Sequence, residues 1–186
     1  PQGTFKRLIS TSRNASSTCP ASASQQAYDA NGFVSYALDW RGTRTNFTFN
    51  AKGQLLEKVK APSTSSTLRE VQTWGDGDQL AETVFYGSTN VAYKKINYSY
   101  NGRRLVTSVV VTDLGNGQTR TTNVAYTFHA TNNELATRTT TVVMSTGNAV
   151  TTETFNSSGY LVQVDAPMGL TTTYSNHNGY GQPRHI

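Results

Sequence analysis

The sequence has few charged residues and few hydrophobic ones, 15% and 35% of its 186 positions. Its single cysteine, Cys19, excludes an internal disulfide framework and any zinc site built from cysteines. No apolar run approaches the length needed to cross a bilayer, so we predict no membrane span. Helical spacing is absent, and β-branched residues, which disfavour helix, crowd every candidate segment. Thr, Ser, Asn and Gly fill the remaining positions, and Thr and Tyr favour the pleated surface of a β-sheet.

The net charge of +5 does not identify a partner. A basic chain would suit a nucleic-acid-binding protein if its cations formed a patch. Here Lys and Arg are scattered, and the close pairs are Lys6-Arg7, Lys94-Lys95 and Arg103-Arg104. We therefore interpret the charge as a solvated cationic surface and expect no nucleic-acid partner.

One short pattern recurs along the chain. It has an aromatic residue, a turn-forming polar residue, two variable positions, a glycine, and an apolar residue two places further on. Clear copies are Tyr28–Val34, Phe49–Leu55 and Phe155–Leu161, and looser copies begin at Trp74, Tyr100 and Phe128. The copies start at intervals of roughly 20 to 30 residues, which is typical of stacked repeat architectures. In such architectures each unit buries surface only against its neighbours.

Alternating apolar and polar residues flank each copy, as in half-buried β-strands. Asp39 and Gly42 are predicted to form a turn, and Asn101-Gly102 is a strong hairpin signal. We therefore predict an all-β fold of antiparallel β-hairpins that form a twisted, spiralling strip of sheet over residues 28–186. The predicted structural positions of the repeat are Tyr28, Asp29, Gly32, Asp39, Gly42, Thr45, Phe47, Phe49, Gly53, Trp74, Tyr98, Tyr100, Gly102, Tyr126, Phe128, Phe155, Gly159, Asp165, Gly169 and Tyr174.

Residues 1–27 are interpreted as a lead-in and connector. Thr4–Ile9 is predicted as a short strand, and Ser10–Gln26, with Pro20 inside it, as a loop or extended connector. The lead-in could cover the edge of the first hairpin. The chain begins at Pro1 without a methionine or a signal-peptide pattern, so we expect a processed product or an excerpt of a longer protein.

The clearest copy of the pattern carries a family resemblance. Tyr28-Asp29-x-x-Gly32, followed by Asp39, Gly42, Thr45, Phe47 and Phe49, resembles the Rhs or YD repeat of bacterial surface proteins and toxins. Cys19-Pro20 and Gln72-Thr73-Trp74 are also similar to that family, and the resemblance covers roughly Cys19 to the end. It implies hairpins laid side by side in a shell, which in toxin members encloses a toxic C-terminal segment. Only the Tyr28 copy has the full Tyr-Asp, and Asp78 replaces the glycine of the Trp74 copy.

No active-site pattern is recognised, so we predict no enzyme, cofactor or metal. Most carboxylates occupy turn positions, although a glycosidase-like pair brought together across strands stays open. Asp76-Gly77-Asp78 resembles part of a calcium loop but lacks the bidentate acid that closes one. His129, His177 and His185 are far apart in the sequence. Asp165–Leu170 superficially resembles the family's self-cleaving region but fits an ordinary repeat turn better.

Two hypotheses for function follow. The first is a structural module of an Rhs/YD shell, secreted or at a bacterial cell surface, whose partners are further repeats and an enclosed toxin or effector. The second is a carbohydrate-binding or fibre-forming β-repeat protein, with Trp74 and Tyr98 as candidate glycan contacts. We also predict edge-to-edge self-association, because an unclosed strip leaves unpaired backbone groups on its edge strands.

Overall fold

The computed structural model describes residues 7–16 and 22–186. Cys19, Pro20 and the first part of the predicted strand Thr4–Ile9 lie outside the described residues. The strands are β1 (Ser10–Arg13), β2 (Ser22–Tyr28), β3 (Val34–Leu38), β4 (Arg44–Phe49), β5 (Leu55–Lys60), β6 (Leu68–Trp74), β7 (Leu80–Tyr86), β8 (Ala92–Tyr100), β9 (Val106–Asp113), β10 (Thr119–Phe128), β11 (Leu135–Val142), β12 (Ala149–Phe155), β13 (Leu161–Ala166) and β14 (Leu170–Thr173).

The sheet follows the order of the chain, from β1 to β14, and each strand is hydrogen-bonded to its sequence neighbours. The strand pairs are antiparallel, as between β4 and β5 or β12 and β13. The predicted fold class, all-β with repetitive antiparallel hairpins, is confirmed. That the strip spirals stays a prediction. In the described ranges, helix is limited to the short 3-10 segments Asp76–Asp78 and Pro167–Gly169, and no helix there is long and apolar enough to cross a membrane.

The chain divides into two compact units. The first comprises residues 1–95 and 113–116, and the second comprises residues 96–112 and 117–186. The first unit therefore contains β1 to β7 and the start of β8. The second contains the rest of β8 and, apart from the last residue of β9, the strands β9 to β14.

In the lead-in, strands form where the composition predicted a loop or connector. β1 pairs with β2 from Ser10↔Gln25 to Arg13↔Ser22, and β2 pairs with β3. The predicted strand before Ser10 is wrong for residues 7–9, which have no regular structure. The prediction failed because a Ser/Thr/Ala-rich segment carries no alternation of its own, and its strands form by backbone pairing with a neighbour.

Neither unit has an ordinary hydrophobic core. Within the described residues no hydrophobic side chain is fully buried, and the buried polar residue is Thr83, with 3% of its surface exposed. Most strand residues are half-buried on both faces. Stability must therefore come from contacts between neighbouring hairpins, as in repeat proteins.

Threonine rows cross the second unit on one face of the sheet. Thr137 of β11 lies opposite Thr127 on one side and Thr154 on the other, and the row continues to Gln163 and Thr173. The hydroxyls of Thr127 and Thr137 are 2.7 Å apart. Directly opposed pairs of this kind contribute roughly 0.2–1 kcal/mol each. The Thr-rich sequence is thus used for cross-strand hydrogen bonds rather than for burial.

Candidate functional site: a row of linked hairpin turns

One turn geometry recurs at the ends of the hairpins, and the Asn50 turn shows it fully. Its five positions are Asn50, Ala51, Lys52, Gly53 and Gln54. The backbone N–H of position 1 donates to the carbonyl of position 5, and that of position 4 to the carbonyl of position 1, each at 3.0 Å. The Asn50 Oδ1 accepts from the N–H groups of Lys52 and Gln54, both at 3.0 Å. The side chain thus caps the turn from inside, as Asx residues do in local turns.

The same capped turn is built at several other places in the chain. Its first residues are Asp39, Asn101, Asn156 and Asn178, each accepting from positions 3 and 5 through Oδ1. Asp29 accepts from position 5, Phe33, at 2.8 Å. Position 4 has a positive φ, which explains the glycines Gly32, Gly42, Gly53 and Gly159 of the repeat pattern.

Some predicted positions lie elsewhere than the pattern implies. Gly102 is at position 2 of the Asn101 turn and has no positive φ; the left-handed residue is Arg104, with φ 63°. Asp165 lies within β13 and does not cap a turn as Asp39 does; its carboxylate accepts from Gln163 Nε2 and from Thr171 Oγ1 at 2.7 Å. Gly169 has a positive φ but ends the 3-10 segment Pro167–Gly169.

Two further turns of the same geometry were not predicted from the sequence. In the Gly87 turn, the N–H of Gly87 donates to the carbonyl of Val91, and Asn90 has the positive φ. Its first residue is a glycine and cannot cap the turn as Asp or Asn does, so the repeat pattern does not predict it. The Asn178 turn, which ends at Gln182, has the cap, but His177 stands where the pattern expects an aromatic residue.

A β-bulge precedes several of these turns and brings the pattern's aromatic residue opposite its apolar one. Phe49 pairs with Leu55, Trp74 with Leu80, and the pairs Tyr28–Val34, Phe128–Leu135 and Phe155–Leu161 are equivalent. Bulges disrupt the ladder locally and leave backbone groups unpaired. The recurring pattern therefore encodes a bulge, a turn and one cross-strand contact.

Side-chain donors from the following hairpin bond backbone carbonyls just after several of the turns. The indole N–H of Trp74 donates to the carbonyl of Leu55 at 2.8 Å. The hydroxyl of Tyr126 donates to the carbonyl of Val106 at 2.9 Å. The His177 ring nitrogen Nε2 lies 2.8 Å from the carbonyl oxygen of Leu161. Each of these three acceptors is the first residue of its strand, β5, β9 or β13. His129 differs, because its Nε2 lies 3.0 Å from the carbonyl of Phe155, the last residue of β12.

The turns that join even-numbered strands to odd-numbered ones lie at the same end of the sheet, because the strands are antiparallel and in chain order. We call these turns, within each unit, the turn row. In the first unit it comprises the turns that begin at Asp29, Asn50 and Gly75; in the second, the turns that begin at Asn101, His129, Asn156 and Asn178. The His129 turn is one residue longer than the others, with Asn133 as its left-handed residue.

Neighbours in the turn row touch through a recurring turn-to-turn contact. A side chain from position 5 or 3 of one turn lies on the left-handed residue of the next. Phe33 lies over Gly53, where a Cβ would come 2.8 Å from its ring, and Tyr160 lies over Gly181 in the same way at 3.0 Å. Where the covering group is polar, the left-handed residue is an acceptor instead.

The polar contacts also follow one rule. The Gln54 amide donates to Asp78 Oδ1 at 3.0 Å, and Lys52 Nζ reaches the same oxygen at 2.6 Å. In the second unit, Arg103 donates to Asn133 Oδ1. Within these turn-to-turn contacts an aromatic side chain is matched by glycine, and an amide or cation is matched by Asp or Asn. The first turn differs, because the guanidinium of Arg7, from the lead-in, lies over Gly32. The junction between the His129 and Asn156 turns differs, since Asn132 donates to the Ser157 carbonyl there.

Comparisons with known proteins give a structural likeness alone. No protein-family model matches the chain, and no curated protein matches it. The chain is similar to parts of Tc toxin complexes. The TcdB2–TccC3–Cdc42 crystal structure shares 13% identity at a TM-score of 0.45, covering 85% of this chain and 10% of that one. The TcdB2–TccC3 structure without its hypervariable C-terminal region gives 14% and 0.46, covering 89% and 10%. The Photorhabdus luminescens Tc holotoxin pore gives 12% and 0.46, covering 89% and 10%.

The chain therefore spans about one tenth of the length of the chains it resembles. At this identity and TM-score the likeness carries no argument about function.

Asp39, His129 and His177, which the sequence singled out, have local hydrogen-bond partners. The N–H groups of Thr43 and Arg41 donate to Asp39 and hold the pKa of its carboxyl below the ordinary value, the Thr43 bond being the main cause. His129 and His177 each bond a backbone carbonyl of a neighbouring strand through Nε2. In the described ranges no group of three or more His, Cys, Asp or Glu could hold a metal ion.

Cations lie over many of the aromatic rings that could otherwise stack on a sugar. Arg44 lies 4.2 Å from the ring centre of Tyr36, Lys94 lies 4.1 Å from that of Phe85, and Arg103 lies 3.8 Å from that of Phe128. Trp74, a predicted glycan contact, is half-buried and bonded to Leu55. Tyr98, the other, is half-buried in β8. Trp40 is more exposed than these two, with 62% of its surface accessible, and Arg41 lies 4.4 Å from its ring centre.

Proposed function

We propose that this chain is a non-enzymatic structural module, a strip of Rhs/YD-type hairpins that forms part of a wall enclosing or displaying a toxin or effector. The observation that carries the proposal is the turn-to-turn contact, which repeats from one hairpin to the next. The resemblance of the Tyr28–Phe49 segment to Rhs/YD repeats supports the assignment to a shell.

The geometry suits a wall because each hairpin is held by its immediate neighbours. Side chains of Trp74, Tyr126 and His177 bond carbonyls of the preceding hairpin, and polar or aromatic side chains contact the next turn in the row. No hydrophobic side chain among the described residues is fully buried. A hairpin can therefore be added or removed without disrupting a core that the other hairpins share. Asp39 and the histidines His129 and His177 serve these local contacts, which supports a structural rather than a catalytic role.

A truncation series tests the proposal. Removing hairpins one at a time from the C-terminus should lower the free energy of unfolding in similar steps, because each hairpin adds one interface. Loss of all structure on removal of the last hairpin would contradict it. Reproducible turnover of a substrate, abolished by substitution of one carboxylate, would contradict the non-enzymatic part.

The partners that follow from this function are further repeats and an enclosed effector, in a protein that is secreted or at a bacterial surface. Self-association through sheet edges belongs to the same proposal, because β1 and β14 are the outermost strands of the described sheet. Both are four residues long and largely exposed. Sedimentation at rising protein concentration tests the association, and a monomer at every concentration would refute it.

A groove beside Trp40 favours a second candidate function, glycan binding. It has a volume of about 450 Å³ and is lined by Trp40, Asp39 and polar side chains of β1 and β2, among them Thr11 and Ser24. An exposed indole beside hydroxyl groups suits a sugar ring. Binding on a glycan array that is lost in Trp40→Ala, with folding intact, would support this function. Trp74→Ala is a poor test, because it removes the bond to Leu55.

A further inference from the structure

Two of the capped turns have glycine at position 2, where the backbone does not require it. Gly102 follows the capping Asn101, and Gly179 follows the capping Asn178; neither glycine has a positive φ. A Cβ at either position would meet nothing within 4 Å. The Asn50 turn has the same geometry and accommodates Ala51 at its position 2. The conformation of the turn therefore does not explain the two glycines.

An Asn-Gly pair is chemically reactive, because the glycine amide nitrogen can attack the asparagine side chain and no Cβ on the glycine hinders the approach. A bond forms between the glycine N and the asparagine Cγ, the Cγ–Nδ2 bond breaks, and the side-chain amide leaves as ammonia with the proton of the glycine N–H. Water then opens the succinimide ring at either carbonyl, giving aspartate or isoaspartate. The chain has four such pairs, which begin at Asn31, Asn101, Asn116 and Asn178, and in the Asn31 and Asn116 pairs the glycine has a positive φ.

The capped turn holds the two reacting atoms within one hydrogen-bonded ring. The N–H of Arg103 donates to Asn101 Oδ1 at 2.9 Å, so the ring closed by this bond contains both the Asn101 Cγ and the Gly102 N. The N–H of Leu105 donates to the same oxygen at 3.1 Å. In the Asn178 turn the two equivalent distances are 2.9 and 3.0 Å. Two backbone donors at this range stabilise the negative charge that develops on Oδ1 when the nitrogen attacks Cγ.

The attacking nitrogen is free in these two turns and occupied in a third. Within the part of the chain that the structure describes, the N–H groups of Gly102 and Gly179 make no hydrogen bond, and both glycines are exposed to water. In the pair Asn31-Gly32 the N–H of Gly32 donates to the carbonyl of Asp29 at 3.0 Å. The same dipeptide therefore has a free nucleophile in two turns and a bonded one in the first turn.

We propose that Asn101 and Asn178 are sites of spontaneous modification, which the folded protein converts to aspartate and isoaspartate, and that the fold protects Asn31. Aspartate keeps the cap, since Asp39 accepts the same two N–H bonds in its own turn. Each conversion adds one negative charge to a chain of net charge +5. Isoaspartate routes the main chain through the former side-chain carbon, so the Oδ1 cap is lost and the turn loosens.

Peptide mapping by mass spectrometry measures the conversion at each asparagine during incubation at mildly alkaline pH, in buffer and in urea. In the folded protein Asn101 and Asn178 should convert at least roughly fivefold faster than Asn31, whose neighbouring N–H must first break one ordinary hydrogen bond. Urea should accelerate the reaction at Asn31 and should not accelerate it at the other two. Equal rates at the three sites in the folded protein, or acceleration of all three by urea, would overturn the inference.

Gly102→Ala and Gly179→Ala are the matched variants, because each adds a Cβ that hinders the attack where the fold has room for it. Each should nearly abolish conversion at its own asparagine, leave the other site unchanged and keep the midpoint of thermal unfolding. Conversion that persists beside the new alanine would overturn the inference. Asn101→Asp supplies the aspartate product directly and should also keep the midpoint, whereas a lowered midpoint would contradict the retained cap.

Discussion

Alanine at two left-handed glycines should separate backbone strain from the turn-to-turn contact. Gly42 and Gly53 both hold position 4 of a capped turn, with φ of 78° and 81°. A Cβ at Gly42 meets nothing within 4 Å, whereas one at Gly53 comes 2.8 Å from the Phe33 ring. The two substitutions therefore share the same strain and differ in one contact.

The magnitudes follow from these distances. Placing a residue with a Cβ in the left-handed region costs about 1–2 kcal/mol. Both Gly42→Ala and Gly53→Ala should therefore lower the free energy of unfolding by this amount. The Cβ at Gly53 must also displace Phe33, whose ring lies 5.4 Å from that of Phe49. Overpacking of this kind costs about 1–3 kcal/mol more. The entropy gained in the unfolded chain is the same for both and cancels in the comparison.

Urea unfolding followed by tryptophan fluorescence measures the difference, since Trp40 and Trp74 both lie in the first unit. Phe33→Ala provides the control, because in that background Gly53→Ala should cost no more than Gly42→Ala. Equal costs for the two glycines in the unmodified chain would refute the turn-to-turn contact as a source of stability.

Three further changes test the turn geometry and the ring donors. Gly87→Asn should raise the free energy of unfolding by about 1 kcal/mol, because it adds the missing Asx cap. There is room for the side chain, since a Cβ at Gly87 meets nothing within 4 Å. If Gly87→Asn is no more stable than Gly87→Ala, the cap does not contribute. Trp74→Phe should lower the free energy of unfolding by about 0.5–1.5 kcal/mol, since the hydrogen bond to the Leu55 carbonyl is lost. Thermal unfolding followed by circular dichroism measures this, and an unchanged midpoint would show that the bond does not stabilise the sheet. The Asp39 turn should loosen in acid. Its folded pKa is lowered, so its stabilisation is present above the ordinary pKa and is lost as the pH falls through the folded one. The amide shift of Thr43 measures this, and Asp39→Asn should remove the dependence.

The hairpins were predictable because their signals are local. Alternation along the strands, an Asx residue and a glycine three places later identified the turns at Asp39, Asn50 and Asn156. The aromatic start and apolar end of each copy proved to be partners across a bulge, as Phe49 and Leu55 are. Local chemistry was sufficient there, since a turn and its bulge involve fewer than ten residues.

The links between hairpins were not predictable from these signals. The Trp74–Leu55 and Tyr126–Val106 bonds join residues about a whole repeat apart, and only the three-dimensional register brings them together. Arg104 gave no signal, because an arginine in the left-handed region looks like any surface cation and the adjacent Gly102 suggested another turn. The lead-in strands were missed because their pairing depends on their neighbours rather than on their own composition.

We expect each hairpin to be stabilised only by its immediate neighbours in the sheet. Native-state hydrogen exchange, measured with and without residues 156–186, tests this, because the truncation removes β13 and β14 and spares the other strands. Exchange should become faster in β12, the strand that loses its partner, and stay unchanged in β4 to β7 of the first unit. An equal loss of protection in β4 to β7 and in β12 would instead show that the sheet unfolds as one cooperative unit.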